Sequence, residues 1–177
     1  METSRRLGVI AFCILLFLVG CNDKQPAAGN VKEAEKIVAE AKATGPLPEG
    51  GFKATISVTN PPAQMQPGQK ETLTVKVKNT GTVAWPAHGR ASDGYYQVNV
   101  GDRWYAPKEQ FLDKHPYVRS GLPGDLQPGQ EVEVQLGITA PDKPGEYTLQ
   151  VDLVQEMVSW FAEKGSSAPA FKVKVGS

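Results

Sequence analysis

The chain has 177 residues, with 19 basic and 19 acidic side chains, two cysteines, and 40% of its residues in the hydrophobic set. That length suits one domain with an appendage and allows a real core. Zero formal net charge argues against a nucleic-acid binder, and two cysteines are too few for a disulfide framework or a structural zinc site.

At the N-terminus, Arg5-Arg6 precedes the uncharged, mostly apolar run Leu7–Gly20. A basic start, a short apolar stretch and a small residue at its end predict a secretory signal over residues 1–20. Polar Asn22-Asp23 ends the run before the ~20 apolar residues that a membrane-crossing helix requires. Leu18-Val19-Gly20-Cys21 resembles the lipobox of bacterial lipoproteins. The resemblance implies cleavage before Cys21 and a diacylglycerol thioether on its sulfur, so that the chain meets the membrane through lipid. Asn22 stands where, in lipoproteins of two-membrane bacteria, an aspartate often signals inner-membrane retention. The resemblance therefore points to the outer membrane, facing the periplasm. Cys13 would leave with the signal, and the mature chain would hold no free thiol.

Residues 21–50 form the expected lipidated N-terminus, a Pro/Gly/Ala-containing flexible linker and a short helix at 30–44. Asn30 is a good N-cap, Glu33 holds the capping-box position, and Val31, Ala34, Ile37, Val38 and Ala41 recur at helical spacing. Gly45-Pro46 stops the helix. It reads as a spacer or, with its small apolar stripe, as a partner-binding helix.

Over residues 51–177 the period becomes 2. Ala54/Ile56/Val58, Leu73/Val75/Val77, Val132/Val134/Leu136/Ile138, Tyr147/Leu149/Val151/Leu153 and Phe171/Val173/Val175 alternate with mostly polar neighbours. Each run has one buried and one wet face, as in antiparallel sheets. Asn60-Pro61-Pro62, Pro67-Gly68, Pro128-Gly129 and Pro141–Gly145 punctuate them, which predicts an all-β sandwich. Gln66-Pro67-Gly68-Gln69 and Gln127-Pro128-Gly129-Gln130 read as one turn chemistry used twice. Tyr147, just after Pro-Gly, is a candidate tyrosine corner.

Pro67-Gly68-Gln69, a strand, and then Asn79-Thr80-Gly81 through Trp85 resemble bacterial Ig-like adhesion-type modules. The Asn-x-Gly-x-x-x-Trp portion is also similar to the Ig-like domain of autophagy cargo receptors. Asp125-Leu126-x-Pro128-Gly129, Ala140-Pro141 through Leu149, and Asp152–Phe161 resemble accessory modules of bacterial glycosyltransferases and surface-polysaccharide enzymes. These resemblances imply an Ig-like antiparallel β-sandwich over roughly residues 52–175.

Motifs of catalysis are missing: there is no Gly-x-Ser-x-Gly, phosphate loop or His-Glu-x-x-His. His88 and His115 stand apart, and the carboxylates form no calcium loop. The expectation is a non-enzyme with no metal and no cofactor. Val100-Gly101-Asp102-Arg103 reads as a hairpin with a type II′ turn. That register places Tyr96, Val98, Val100 and Tyr105 on a core face and Tyr95, Gln97, Asn99 and Trp104 on a face able to stack sugar rings and bond their hydroxyls. The competing reading covers Trp104 with loop 107–127 as core. Gln155, Glu156, Trp160 and Phe161 form a second candidate, either binding or packing residues. The composite expectation is a lipid-anchored cell-envelope binding module, with glycan as the possible ligand. The alternatives are an assembly lipoprotein binding protein and, with less support, an envelope protease inhibitor.

Overall fold

The computed structural model describes residues 45–90 and 93–176. The expected signal, Cys21, the linker and the helix at 30–44 lie outside the described residues. Ten strands follow in chain order: β1 Ala54–Thr59, β2 Gln64–Met65, β3 Lys70–Asn79, β4 Val98–Ala106, β5 Gln110–Phe111, β6 Arg119–Gly121, β7 Glu131–Thr139, β8 Gly145–Gln155, β9 Ser159–Trp160 and β10 Ala170–Val175. They form a small sheet ordered β1-β3-β7 and a large one ordered β2-β10-β8-β4-β5, with β6 added to β4 and β9 to β8. The five alternating runs of the sequence coincide with β1, β3, β7, β8 and β10.

The small sheet is antiparallel, and its register aligns apolar residues in rows: Val58, Val75 and Val134 in one, Ile56, Val77 and Val132 in the next. Each such side chain stabilises the fold by about 1.5–3 kcal/mol when fully buried. The opposite face is wet, with Lys76 3.4 Å from Glu131 and Thr74 bonded to Gln135. The repeated Gln-Pro-Gly-Gln turn leads into both β3 and β7. In each copy the second glutamine's side-chain oxygen accepts from the first one's backbone N–H, at 2.6 Å and 2.8 Å. Gly68 and Gly129 take φ of 66° and 83°, which a side chain resists at the third position of a type II turn.

Asn79, at the end of β3, explains the Asn-x-Gly-x-x-x-Trp pattern. It is fully buried; its Nδ2 donates to the carbonyls of Val83 and Leu126 at 2.9 and 2.8 Å, and its Oδ1 accepts from Gly81 N–H. A Cβ on Gly81 would lie 2.7 Å from the Gly51 carbonyl oxygen, so only glycine lets these two loops meet. Trp85 Nε1 donates to that same carbonyl at 2.8 Å. Its ring meets Phe161 edge-on at 5.1 Å, and Phe161 meets Phe52 at 5.1 Å. Tyr147 packs against Trp104 and donates its hydroxyl to Lys143 O, four residues upstream, at 2.9 Å. That is the geometry of a tyrosine corner.

β4 corrects the expected hairpin. It runs unbroken from Val98 to Ala106, pairing throughout with β8 from Val98↔Gln155 to Tyr105↔Thr148. Gly101 has no positive φ, so no type II′ turn exists there. The chain reverses later, at Pro107–Glu109, where Lys108 and Glu109 carry φ of 66° and 60° and Ala106 pairs with Gln110. Seven successive residues of β4 are buried, because it lies centrally in the sheet with structure over both faces. A strand covered on both sides loses the alternation that would have revealed it.

Candidate functional site

Continuity of β4 re-sorts every candidate side chain. Val98, Val100, Asp102 and Trp104 face the core, whereas Asn99, Gly101, Arg103 and Tyr105 face outward, since successive side chains alternate. Trp104 is therefore a core residue, 1% exposed, with Nε1 donating to Asp102 Oδ2 at 3.0 Å. The expected face of Tyr95, Gln97, Asn99 and Trp104 does not exist as one surface. Tyr105, expected inward, lies on the outer face and donates its hydroxyl to Gln150 Oε1 at 3.2 Å. Tyr95 sits half-buried in a turn, edge-on to Tyr96 at 6.0 Å, with the Arg90 guanidinium 5.9 Å from its ring.

The second group also divides. Phe161 is in the aromatic core, and Gln155 is fully buried. Gln155 Oε1 accepts from Leu47 N–H at 2.8 Å, and its Nε2 donates to Gly45 O and Tyr96 O. It thus ties the entry of the described chain to the end of β8. Glu156 and Trp160 instead reach the outer face, where Glu156 meets Gln97 and Asn99 from the first group. Asn99 Nδ2 donates to Glu156 Oε1 at 2.8 Å and its Oδ1 accepts from Gln97 Nε2 at 3.4 Å. The outer face so joins part of each candidate group.

Three further residues complete this patch, and none was singled out from the sequence as a site residue. The guanidinium carbons of Arg103 and Arg119 each lie 4.2 Å from the Trp160 ring centroid, and Arg119 also packs on Tyr117 at 4.5 Å. Arg119 Nε donates to Glu156 at 3.2 Å. Strand order creates the stack: β6 brings Arg119 opposite Gly101, while β9 pairs Trp160 with Val154 beside it. Gly101 supplies the space. A Cβ there would sit 2.8 Å from Arg119 Nη1 and 3.1 Å from Trp160 Cη2.

Arg103 is fixed by two carboxylates, Asp152 Oδ2 and Glu163 Oε1, both at 3.1 Å. Asp152 is fully buried and also accepts from Leu153 N–H and Ala162 N–H. Burial raises its carboxyl above the ordinary 3.8; the two N–H groups and Arg103 pull the other way. Asp102 is likewise raised by burial, against the opposing donors Val118 N–H and Trp104 Nε1. Both carboxylates are thus committed to holding structure. His115 is similarly engaged, donating Nε2–H to Thr139 O at 2.9 Å and packing edge-on against Trp104 at 6.1 Å. Among the described residues no group of three metal-ligating side chains converges, and no helix is long and apolar enough to cross a membrane.

Two packed sheets, Greek-key-like interleaving of their strands and a tyrosine corner define an Ig-like sandwich. The family model described as the Ig-like domain from next to BRCA1 gene matches residues 59–164, more than half of the chain, and the chain belongs to that family. No curated protein matches it. Among solved structures, a CARDB domain from Pyrococcus furiosus shares 16% identity over 70% of this chain and 94% of its own, with a TM-score of 0.39. A β-glucosidase from Listeria innocua, in complex with glucose, shares 14% over 71% of this chain and 16% of its own, with a TM-score of 0.42. The sporulation control protein Spo0M from Bacillus subtilis shares 18% over 71% of this chain and 49% of its own, with a TM-score of 0.36.

Proposed function

We propose that this chain is a lipid-anchored, non-enzymatic module of the cell envelope that docks a protein partner on the outer face of its large sheet. The observation that carries the docking is the stack of Arg103, Trp160, Arg119 and Tyr117. Tryptophan, tyrosine and arginine are the residue types that dominate binding energy at protein interfaces. Here they are pre-organised, because Asp152 and Glu163 hold Arg103, and Glu156 holds Arg119. Tyr117 is 48% exposed and Met157, in the turn between β8 and β9, is 70% exposed. Both offer apolar area beside the charged stack.

The anchor rests on Leu18-Val19-Gly20-Cys21, with lipid on Cys21 tethering the domain to the membrane, the outer one in a two-membrane cell. The structural work of Asp102, Asp152 and His115, and the resemblance to accessory modules, support a role without catalysis. Fatty-acid labelling and binding test the two halves separately. Cys21→Ala should abolish labelling and membrane retention, and continued labelling removes the anchor. Arg119→Ala should weaken capture of envelope protein at least tenfold, as loss of an interface hot spot worth ~2 kcal/mol does. Undiminished capture removes the docking face.

A further inference from the structure

The outer face of the large sheet has a second feature, adjoining the Arg103 end of the stack. A depression of about 460 Å³ is lined by Tyr105, Glu109, Thr148, Gln150, Ala170 and Lys172, among others, a size within the ~300–1,000 Å³ of small-molecule sites. Tyr105 pairs with Thr148, and Gln150 pairs with Arg103, two residues back along β4, so this place begins at the Arg103 end of the stack, ~7 Å along the strand at ~3.3 Å per residue.

Its chemistry is an aromatic plate edged by neutral hydrogen-bonding groups. The Tyr105 ring is backed by Phe111 at 5.6 Å, which is 39% exposed. The Tyr105 hydroxyl donates a hydrogen bond to Gln150 Oε1, and the Gln150 Nε2 donors have no protein partner among the described residues. Lys172 Nζ donates to Thr148 Oγ1 at 2.9 Å, leaving the threonine proton free to donate elsewhere. Glu109 and Lys172 add one acceptor and one donor of opposite charge, so the site has no net charge. The strained turn at Lys108 and Glu109, both at positive φ, brings the Glu109 carboxylate to the rim.

We propose that this depression is a subsite for an uncharged saccharide unit, whose C–H face stacks on Tyr105 while its hydroxyls bond Gln150, Thr148, Lys172 and Glu109. An apolar ligand would leave these polar groups unpaired, and an ionic one would meet both signs of charge; a sugar ring matches both plate and rim. The depression also lies far from the point where the described chain begins. The described chain enters at Gly45, held by Gln155, whereas Thr148 lies seven residues back along β8, ~23 Å away at ~3.3 Å per residue.

Saturation-transfer NMR on the full-length chain in detergent micelles tests this, with cellotetraose, chitotetraose and maltotetraose as probes. At least one should bind; Tyr105→Ala and Gln150→Ala should each weaken it fivefold or more, and Tyr105→Phe, which keeps the ring, should weaken it less than Tyr105→Ala. Thermal unfolding of the same samples verifies that each variant is folded, and Gln150→Ala remains decisive should Tyr105→Ala not fold. Absence of binding by all three probes, or binding indifferent to both alanine variants, overturns the proposal. A chain that binds none of them yet still captures protein through the Arg119 patch overturns this proposal alone and leaves the docking function standing.

Discussion

Gly101→Ala separates the strand reading of β4 from an ordinary backbone effect by the sign of its result. Where a strand glycine has free space, alanine stabilises by about 0.4–1 kcal/mol through the unfolded chain. At Gly101 the added Cβ would meet Arg119 Nη1 at 2.8 Å, Trp160 Cη2 at 3.1 Å and the Val118 carbonyl oxygen at 3.2 Å. Overpacking of this kind costs about 1–3 kcal/mol, and each displaced cation–π contact adds about 0.5–1 kcal/mol at a partly exposed site. The Arg119–Glu156 pair, with side chains 21% and 26% exposed, adds little after solvent screening. The expected net loss is about 2 kcal/mol. In a Trp160→Ala background the indole clash is gone and the arginine tip can swing aside, so the same substitution should cost under about 1 kcal/mol, a coupling typical of residues in contact. Urea unfolding of the four chains, with m-values checked for constancy, gives the cycle. A stabilising Gly101→Ala, or an equal cost in both backgrounds, would show that Gly101 does not make room for the stack.

Trp104→Ala should destabilise by about 3–5 kcal/mol in urea unfolding, as aromatic truncation in a core does; the outer Trp160→Ala should cost less than half as much. Asp102 gives a pH signature. Burial raises its folded carboxyl above 3.8, so the native state holds the proton more tightly than the unfolded chain. The stabilisation from that proton is complete below 3.8 and is lost as pH rises through the folded value. Asp102→Asn, which cannot accept from both Val118 N–H and Trp104 Nε1, should be less stable at every pH. Its deficit should be largest in acid and should narrow with rising pH; a deficit that widens contradicts the direction of the shift.

Where one face was wet, the sequence was legible. Lys, Thr and Glu between the valines of β3 and β7 placed both strands, and the twin Gln-Pro-Gly-Gln turns marked their starts. β4 escaped because Asp102, Arg103 and Asn99 read as surface residues, yet each is buried by a partner from another strand or loop: Val118, Asp152 and Glu156. Such pairings are long-range and carry no local period. The same cause hid the outer-face patch. Gly101 looked like a turn residue when its missing side chain serves Trp160 and Arg119, which β8–β9 and β6 deliver from 59 and 18 positions away. Strands as short as β6 and β9 leave no pattern to read. Tyr117 and Arg119 could have been joined to Glu156 and Trp160 only once the order β6-β4-β8-β9 was known.

The proposed docking through the stack is tested by placing a photoreactive phenylalanine analogue at position 117, and at position 55 on the wet face of the small sheet as a control, in the full-length chain in cells. Irradiation should yield a discrete crosslinked protein from position 117 and none from position 55, and Arg119→Ala should remove the product. Equal products from both positions, or a product at 117 that persists without Arg119, would mean that the outer face of the large sheet is not the docking surface.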